Sequence, residues 1–173
     1  MIRFAFSSAL AVLASTASAQ TGIYRLGALG DSLSDEYLEE SYDYAFNWAE
    51  ILIATRGIDM GTLPSGGCRP EPRRCGFEDN WARSGHNSAT VISSGALAGL
   101  AGSVDSRGIS HGVILIGSND FSPLQGNAFS NIYNNNWSQA QIDSYINGRL
   151  ANVRTMLETL EPTGIRLVLI TPV

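Results

Sequence analysis

Apolar residues in this chain fall into short unbroken runs and helically spaced sets, divided by polar, glycine-rich stretches. The first run, Ile23-Tyr24-Arg25-Leu26-Gly27-Ala28-Leu29, closes at Gly30 and suits a buried strand entering a tight turn. A helix is expected to follow that turn. Within 43–56, Ala45, Trp48, Ala49, Leu52 and Ile53 recur at helical spacing, and Gly57 stands where a C-terminal cap would be, so the aromatics here read as core. Gly, Pro and turn residues crowd 57–80, which reads as a long loop with a short strand around Ile58-Asp59-Met60. A weak strand end is expected at 80–85, followed by a small-residue helix over 88–100. The clearest strand is Val113-Ile114-Leu115-Ile116, closed by Gly117; its unbroken apolarity predicts a central parallel strand covered on both faces. Residues 121–137 read as a polar loop. Ser138 and Gln141 then form a capping box, and Ile142, Tyr145, Ile146, Leu150, Val153, Leu157 and Leu160 hold one face of a long helix ending at Pro162. Ile165 to Ile170 is the last strand.

Strands alternating with helices imply an α/β fold with a parallel sheet, and such sheets bind ligands at the carboxyl ends of their strands. No internal repeat interrupts this order. The chain is 173 residues, 44% hydrophobic and 16% charged, which is ordinary composition for one domain. Residues 1–19 read as an export signal: Arg3 supplies the positive start, Phe4 to Leu13 the apolar stretch, and Ala17-Ser18-Ala19 a small-residue cleavage site. The domain is therefore expected to span 20–173 and to work outside the cytoplasm, periplasmic or extracellular. No stretch approaches the roughly 20 apolar residues of a membrane span.

All 11 basic residues are Arg, so Schiff-base and P-loop lysine chemistry are excluded. A net charge of −5 without a basic stripe makes nucleic acid an unsuitable partner. Arg69, Arg73 and Arg74 cluster, but Glu71 and two prolines interrupt them, and a solvated loop is the reading adopted. In an exported chain the pair Cys68 and Cys75 reads as a disulfide clipping one loop, with free thiols as the alternative; a zinc site would need more ligands. No cofactor or metal is called for.

Three candidate residues fall at the expected carboxyl ends. Ser32, in Gly30-Asp31-Ser32-Leu33-Ser34, sits where a strand meets a turn and then a helix, a place that favours developing anionic charge; a plain helix N-cap is the competing reading. Gly85 ends the second strand region, where a bare backbone N–H can approach a substrate oxygen; a plain turn glycine is the alternative. Asn119, in Gly117-Ser118-Asn119-Asp120, brings a side-chain amide donor to the same edge, as an oxyanion hole requires. Asp120, His86, Tyr133 and Trp137 are candidates for the substrate side of that cleft, the aromatics because binding residues concentrate on loops at this edge.

Together these blocks resemble the GDSL, or SGNH, hydrolase family of lipases and esterases. The resemblance rests on Gly30-Asp31-Ser32-Leu33-Ser34-Asp35, on Gly85 within Ala82-Arg83-Ser84-Gly85, and on Gly117-Ser118-Asn119-Asp120, in the family's order from Ile23 onward. It implies a three-layer α/β/α sandwich of SGNH, flavodoxin-like type and an ester hydrolase with Ser32 as nucleophile. The Ser32 N–H, the Gly85 N–H and the Asn119 side chain would form the oxyanion hole, and the substrate would be a small-molecule or polysaccharide-linked ester. The family's fourth block, Asp-x-x-His after a fifth strand, is absent from the sequence, and the fold is expected to be incomplete at its C-terminus, with the base and its acidic partner lying beyond residue 173 or not existing. His111 begins the central strand, about 20 Å from the proposed site at roughly 3.3 Å per residue, and His86 adjoins Gly85.

Gly108-Ile109-Ser110-His111-Gly112 fits a nucleophile-elbow pattern by letter, but it precedes a strand where the elbow must follow one. Two rivals to the hydrolase remain: a non-catalytic protein retaining acyl or glycan groups in the same cleft, and a metal-dependent phosphoesterase built on Asp31, Asp35 and Asp120.

Overall fold

The computed structural model describes residues 24–36, 45–65, 69–70 and 75–170. The apolar runs become three strands, β1 (Leu26–Gly30), β2 (His111–Leu115) and β3 (Arg166–Ile170). They form one parallel sheet in the order β1-β2-β3, and the register pairs Gly30 with Leu115 and Leu115 with Ile170, so the three carboxyl ends are level. The described helices are α1 (Trp48–Arg56), α2 (Ser88–Ser93), α3 (Ala96–Arg107), α4 (Ser118–Phe121), α5 (Ala128–Tyr133) and α6 (Gln139–Leu160), the last running into a 3-10 turn at Glu161–Thr163.

Alternation along the strands divides the core in two. Leu29 and Ile114 face α2, α3 and α6, packing with Val91, Leu97, Leu100, Met156 and Leu160. Leu26 and Ala28 point the other way, onto Ala49 and Met60, with Trp48, Leu52 and Ile53 of α1 alongside. Helices thus cover both faces, giving the expected α/β/α layering. The central strand departs from its expected full burial: Gly112 and Ile114 are buried, but His111, Val113 and Leu115 are half-buried. The reason lies in the reach of α1, which covers Val113 together with β1 and leaves Val168, its register partner on β3, half exposed.

Irregular chain covers the outer edge of β1. The N–H groups of Leu26 and Ala28 donate to the carbonyls of Asp59 and Asp79, both at 2.9 Å, while Trp81 N–H donates to Ala28 O at 2.8 Å and Arg83 N–H to Gly30 O at 3.1 Å. The strands expected at 58–60 and 80–85 are consequently single parallel bridges at Asp59 and Asn80. Arg25 and Arg107 brace this edge by pairing with buried Asp79, and Arg25 also with Asp59, Arg107 with Glu78.

Helix boundaries follow local chemistry. Asn47 caps α1 reciprocally with Glu50, so the helix expected within 43–56 begins at Trp48 and leaves Ala45 outside it, while Gly57 closes it in the left-handed conformation, as expected. The helix expected over 88–100 is instead two, because Gly95 at φ +88° breaks the path and α3 starts afresh behind it, running on to Arg107. The loop expected over 121–137 contains α5 and the end of α4. Ser138 and Gln141 form their capping box, and the apolar face of α6 is buried at Met156 and Leu160 but exposed at Ile146 and Leu150. Among the described residues no helix is long and apolar enough to cross a membrane. The leader over 1–19, Cys68, and Arg73 and Arg74 lie outside the described residues. Cys75 is disulfide-bonded.

Candidate active site

After β1 the chain does not enter a helix at once. The N–H groups of Ser34 and Asp35 both donate to Asp31 O at 3.0 Å, and Leu33 N–H donates to Asp31 Oδ1 at 3.0 Å, so residues 31–35 form a compact turn. The buried Asp31 carboxylate organises this turn, and residues 37–44, where the helix expected after it would begin, lie outside the described residues. Within it Ser34 accepts from Trp48 Nε1 at 3.0 Å and its carbonyl from Asn80 Nδ2 at 2.7 Å. Ser32 is left exposed at the strand end, and neither its N–H nor its hydroxyl hydrogen-bonds elsewhere among the described residues.

Gly85 follows Arg83, whose N–H is held by Gly30 O at 3.1 Å. Its φ of +83° lies in the left-handed region, a conformation that favours glycine, and a Cβ built there would come no nearer than 3.7 Å to any atom outside its immediate neighbours, the Gln125 amide nitrogen. Space on the Cβ side of Gly85 is therefore open, and its N–H lacks an acceptor among the described residues.

Asn119 belongs to α4, the short turn after β2, where it is half-buried. Its Nδ2 donates to the His86 carbonyl at 2.9 Å, which occupies one of two amide protons.

Three links join the segments carrying Ser32, Gly85 and Asn119 into one frame at the carboxyl edge. Ser118 Oγ donates to Asp31 Oδ2, tying the turn after β2 to the turn after β1. Ser84 N–H donates to Asp35 Oδ2 at 2.6 Å, tying the glycine segment to the Ser32 turn. The Asn119–His86 bond closes the third side. Sequence reasoning missed Asp35, Ser84 and Ser118 as partners, since each is paired across 49 to 87 residues of chain.

Asp120 does not face this edge. Its side chain is buried, accepting from Ser88 N–H at 2.9 Å and Ser88 Oγ at 2.8 Å and pairing with Arg149 Nε at 3.0 Å, while its carbonyl takes the Tyr145 hydroxyl at 2.5 Å. The expectation of Asp120 on the substrate side is corrected accordingly: it is an internal brace. Ser88 also receives Asn152 Nδ2 at 3.0 Å, and the Arg149 guanidinium lies 3.9 Å above the Tyr145 ring centroid. Arg149, Tyr145 and Asn152 all project from α6, so the turn bearing Asn119 is anchored to the longest helix. Nothing in the local sequence of α6 signals this partnership.

Trp137 packs against Tyr145 with ring centroids 5.2 Å apart, and exposed Tyr133 stacks on Phe129 at 5.8 Å. His86 is half-buried, contributing its carbonyl to Asn119. His111 sits at the amino end of β2 with its Nδ1 2.9 Å from Ser110 Oγ, remote from Ser32. Asp31, Asp35 and Asp120 bond separately, and among the described residues no three His, Cys, Asp or Glu side chains gather to hold a metal.

No family model matches the chain, and no curated protein matches it. Among solved structures it is similar to a carbohydrate esterase family 3 protein from Talaromyces cellulolyticus, at 16% identity over 84% of this chain with a TM-score of 0.40. It is also similar to a family 3 carbohydrate esterase from Clostridium thermocellum, at 15% identity over 86% of this chain and 77% of that one, with a TM-score of 0.34. The chain spans 60% of the length of the Talaromyces protein.

Proposed function

We propose that the carboxyl edge of this sheet is the acyl-transfer site of an exported ester hydrolase, with Ser32 as nucleophile and the Ser32 N–H, Gly85 N–H and Asn119 amide as oxyanion donors. The observation that carries this reading is the hydrogen-bonded frame of Asp31–Ser118, Asp35–Ser84 and Asn119–His86, which holds in adjoining turns a fixed amide and two N–H groups without an acceptor among the described residues. Donors fixed before reaction need no rearrangement as negative charge develops, and such preorganisation is a large part of catalysis.

In this scheme Ser32 Oγ bonds to the ester carbonyl carbon as its proton passes to a base, and the carbonyl electron pair moves onto the oxygen facing the three donors. Collapse of that intermediate expels the alcohol, which takes a proton, and water repeats the sequence on the acyl-serine. The substrate is a small-molecule or polysaccharide-linked ester. Ser32 Oγ has no base within hydrogen-bond reach among the described residues, so the 173-residue chain should acylate slowly and deacylate more slowly still. The same observation favours a second reading, a binding site that retains acyl or glycan groups without cleaving them.

Incubation with excess p-nitrophenyl acetate, an acid quench and peptide mass spectrometry separate the two. Acetyl accumulating on Ser32, and lost in Ser32→Ala, is the result expected of the nucleophile. Ser32 left unmodified while other hydroxyls acylate equally would overturn it in favour of the binding site.

A further inference from the structure

The chain that follows β2 meets the Gly85–His86 segment with two side-chain amides. Asn119 is fixed on the His86 carbonyl at 2.9 Å. Gln125 is exposed, its amide has no hydrogen-bond partner among the described residues, and its Nε2 lies 3.7 Å from where a Cβ on Gly85 would stand. We infer that Gln125 is a specificity residue that binds a hydroxyl beside the ester and so favours monoesters of polyols or sugars over esters of plain alcohols, a role that rests on the proposed function and deepens it.

A turn over Ser122, Pro123, Leu124 and Gln125 sets the position of this side chain. The Gln125 N–H donates to Ser122 O at 3.2 Å and the Leu124 N–H to Ser122 Oγ at 3.2 Å, while Pro123 takes the second place, which its fixed φ suits. Standard covalent geometry then puts Gln125 Nε2 no more than about 6 Å from the Gly85 nitrogen, itself a proposed oxyanion donor. Two oxygens of one small ligand can reach both nitrogens at about 2.9 Å each. The space between is open: among the described residues, and apart from the chain neighbours of Gly85, only the Gln125 amide nitrogen comes within 4 Å of that Cβ position. A primary amide is neutral and carries both N–H donors and a carbonyl acceptor, so a hydroxyl, itself donor and acceptor, is its complement. Water takes the place of a missing hydroxyl at an exposed amide. The discrimination is therefore that of one neutral hydrogen bond, roughly fivefold.

Trans-2-hydroxycyclohexyl acetate and cyclohexyl acetate differ by one hydroxyl, and acetylation of Ser32 in the full chain by each is read by mass spectrometry. The hydroxyl also changes the intrinsic reactivity of the ester, so the quantity compared is the rate ratio of the two esters in wild type and in Gln125→Ala. Gln125 lies outside every described helix and strand, and its truncation leaves the fold in place. The wild-type ratio should be larger by roughly fivefold. Equal ratios with Ser32 acetylated overturn the role of Gln125 and leave the nucleophile standing. A second measurement covers the case in which Ser32 is not acetylated. Titration of the wild-type chain with the two esters should shift the side-chain amide resonances of Gln125 saturably with the hydroxylated ester and not with cyclohexyl acetate. Absence of that difference overturns the role of Gln125 whatever Ser32 does.

Discussion

Asn119 Nδ2 donates to the carbonyl oxygen of His86 at 2.9 Å, joining the turn after the central strand to the segment that presents Gly85. One amide proton is spent on holding the side chain still, and the other remains for a ligand oxygen. Loss of an oxyanion donor typically lowers rate by a factor of about 10² to 10³. Asn119→Ala should accordingly slow Ser32 acylation by roughly that factor while the circular dichroism spectrum is retained.

Asp120 predicts an effect of a different kind. Its carboxylate is buried and meets Ser88 twice and Arg149 once, so Asp120→Ala strands the Arg149 guanidinium over the Tyr145 ring and leaves the Ser88 N–H and hydroxyl without their acceptor. Breaking a buried pair in this way costs about 3 kcal/mol. The urea midpoint should fall correspondingly, and adding Arg149→Met to the same protein should recover part of the loss.

Gly99 lies against the indole of Trp81 so closely that an added Cβ would overlap the six-membered ring. Trp81 packs on the cluster around Leu100 and Ile114 and has little room to withdraw. Gly99→Ala should therefore destabilise the fold by about 1–3 kcal/mol, where an ordinary helical Gly→Ala change stabilises it. Equilibrium urea unfolding measures the sign.

Acid should weaken the edge of β1 through Glu78. Desolvation pushes its pKa up, but the Thr62 N–H and hydroxyl and the Arg107 guanidinium outweigh this and hold it below its ordinary value of 4.5. A carboxylate depressed on folding contributes stability that is present above the unfolded pKa and lost as pH falls through the folded one. The unfolding midpoints of wild type and Glu78→Gln should differ at pH 6 and converge as the pH is lowered below 4.5.

Local signals made much of this fold readable. The capping box at Ser138 and Gln141, the Gly57 cap and the runs that became β2 and β3 are written in neighbouring residues. The cover on β1 was not: Asp59 and Asp79 meet the strand through backbone carbonyls, which carry no side-chain pattern. The break at Gly95 was missed because apolar spacing continues through it from Val91 to Leu100. At the site, Ser32, Gly85 and Asn119 each stood in a legible turn. Their ties through Asp35–Ser84 and Ser118–Asp31, and the anchoring of Asp120 by Arg149, depend on which loops the sheet brings together.

In the proposed site three donors from separate turns converge on one oxygen. A crystal structure of the chain after reaction with a p-nitrophenyl alkylphosphonate tests it most directly. Phosphorus should be bonded to Ser32 Oγ, with its non-ester oxygen about 2.7–3.1 Å from Ser32 N, Gly85 N and Asn119 Nδ2. A Ser32 adduct whose phosphoryl oxygen points to solvent, away from Gly85 and Asn119, would contradict it.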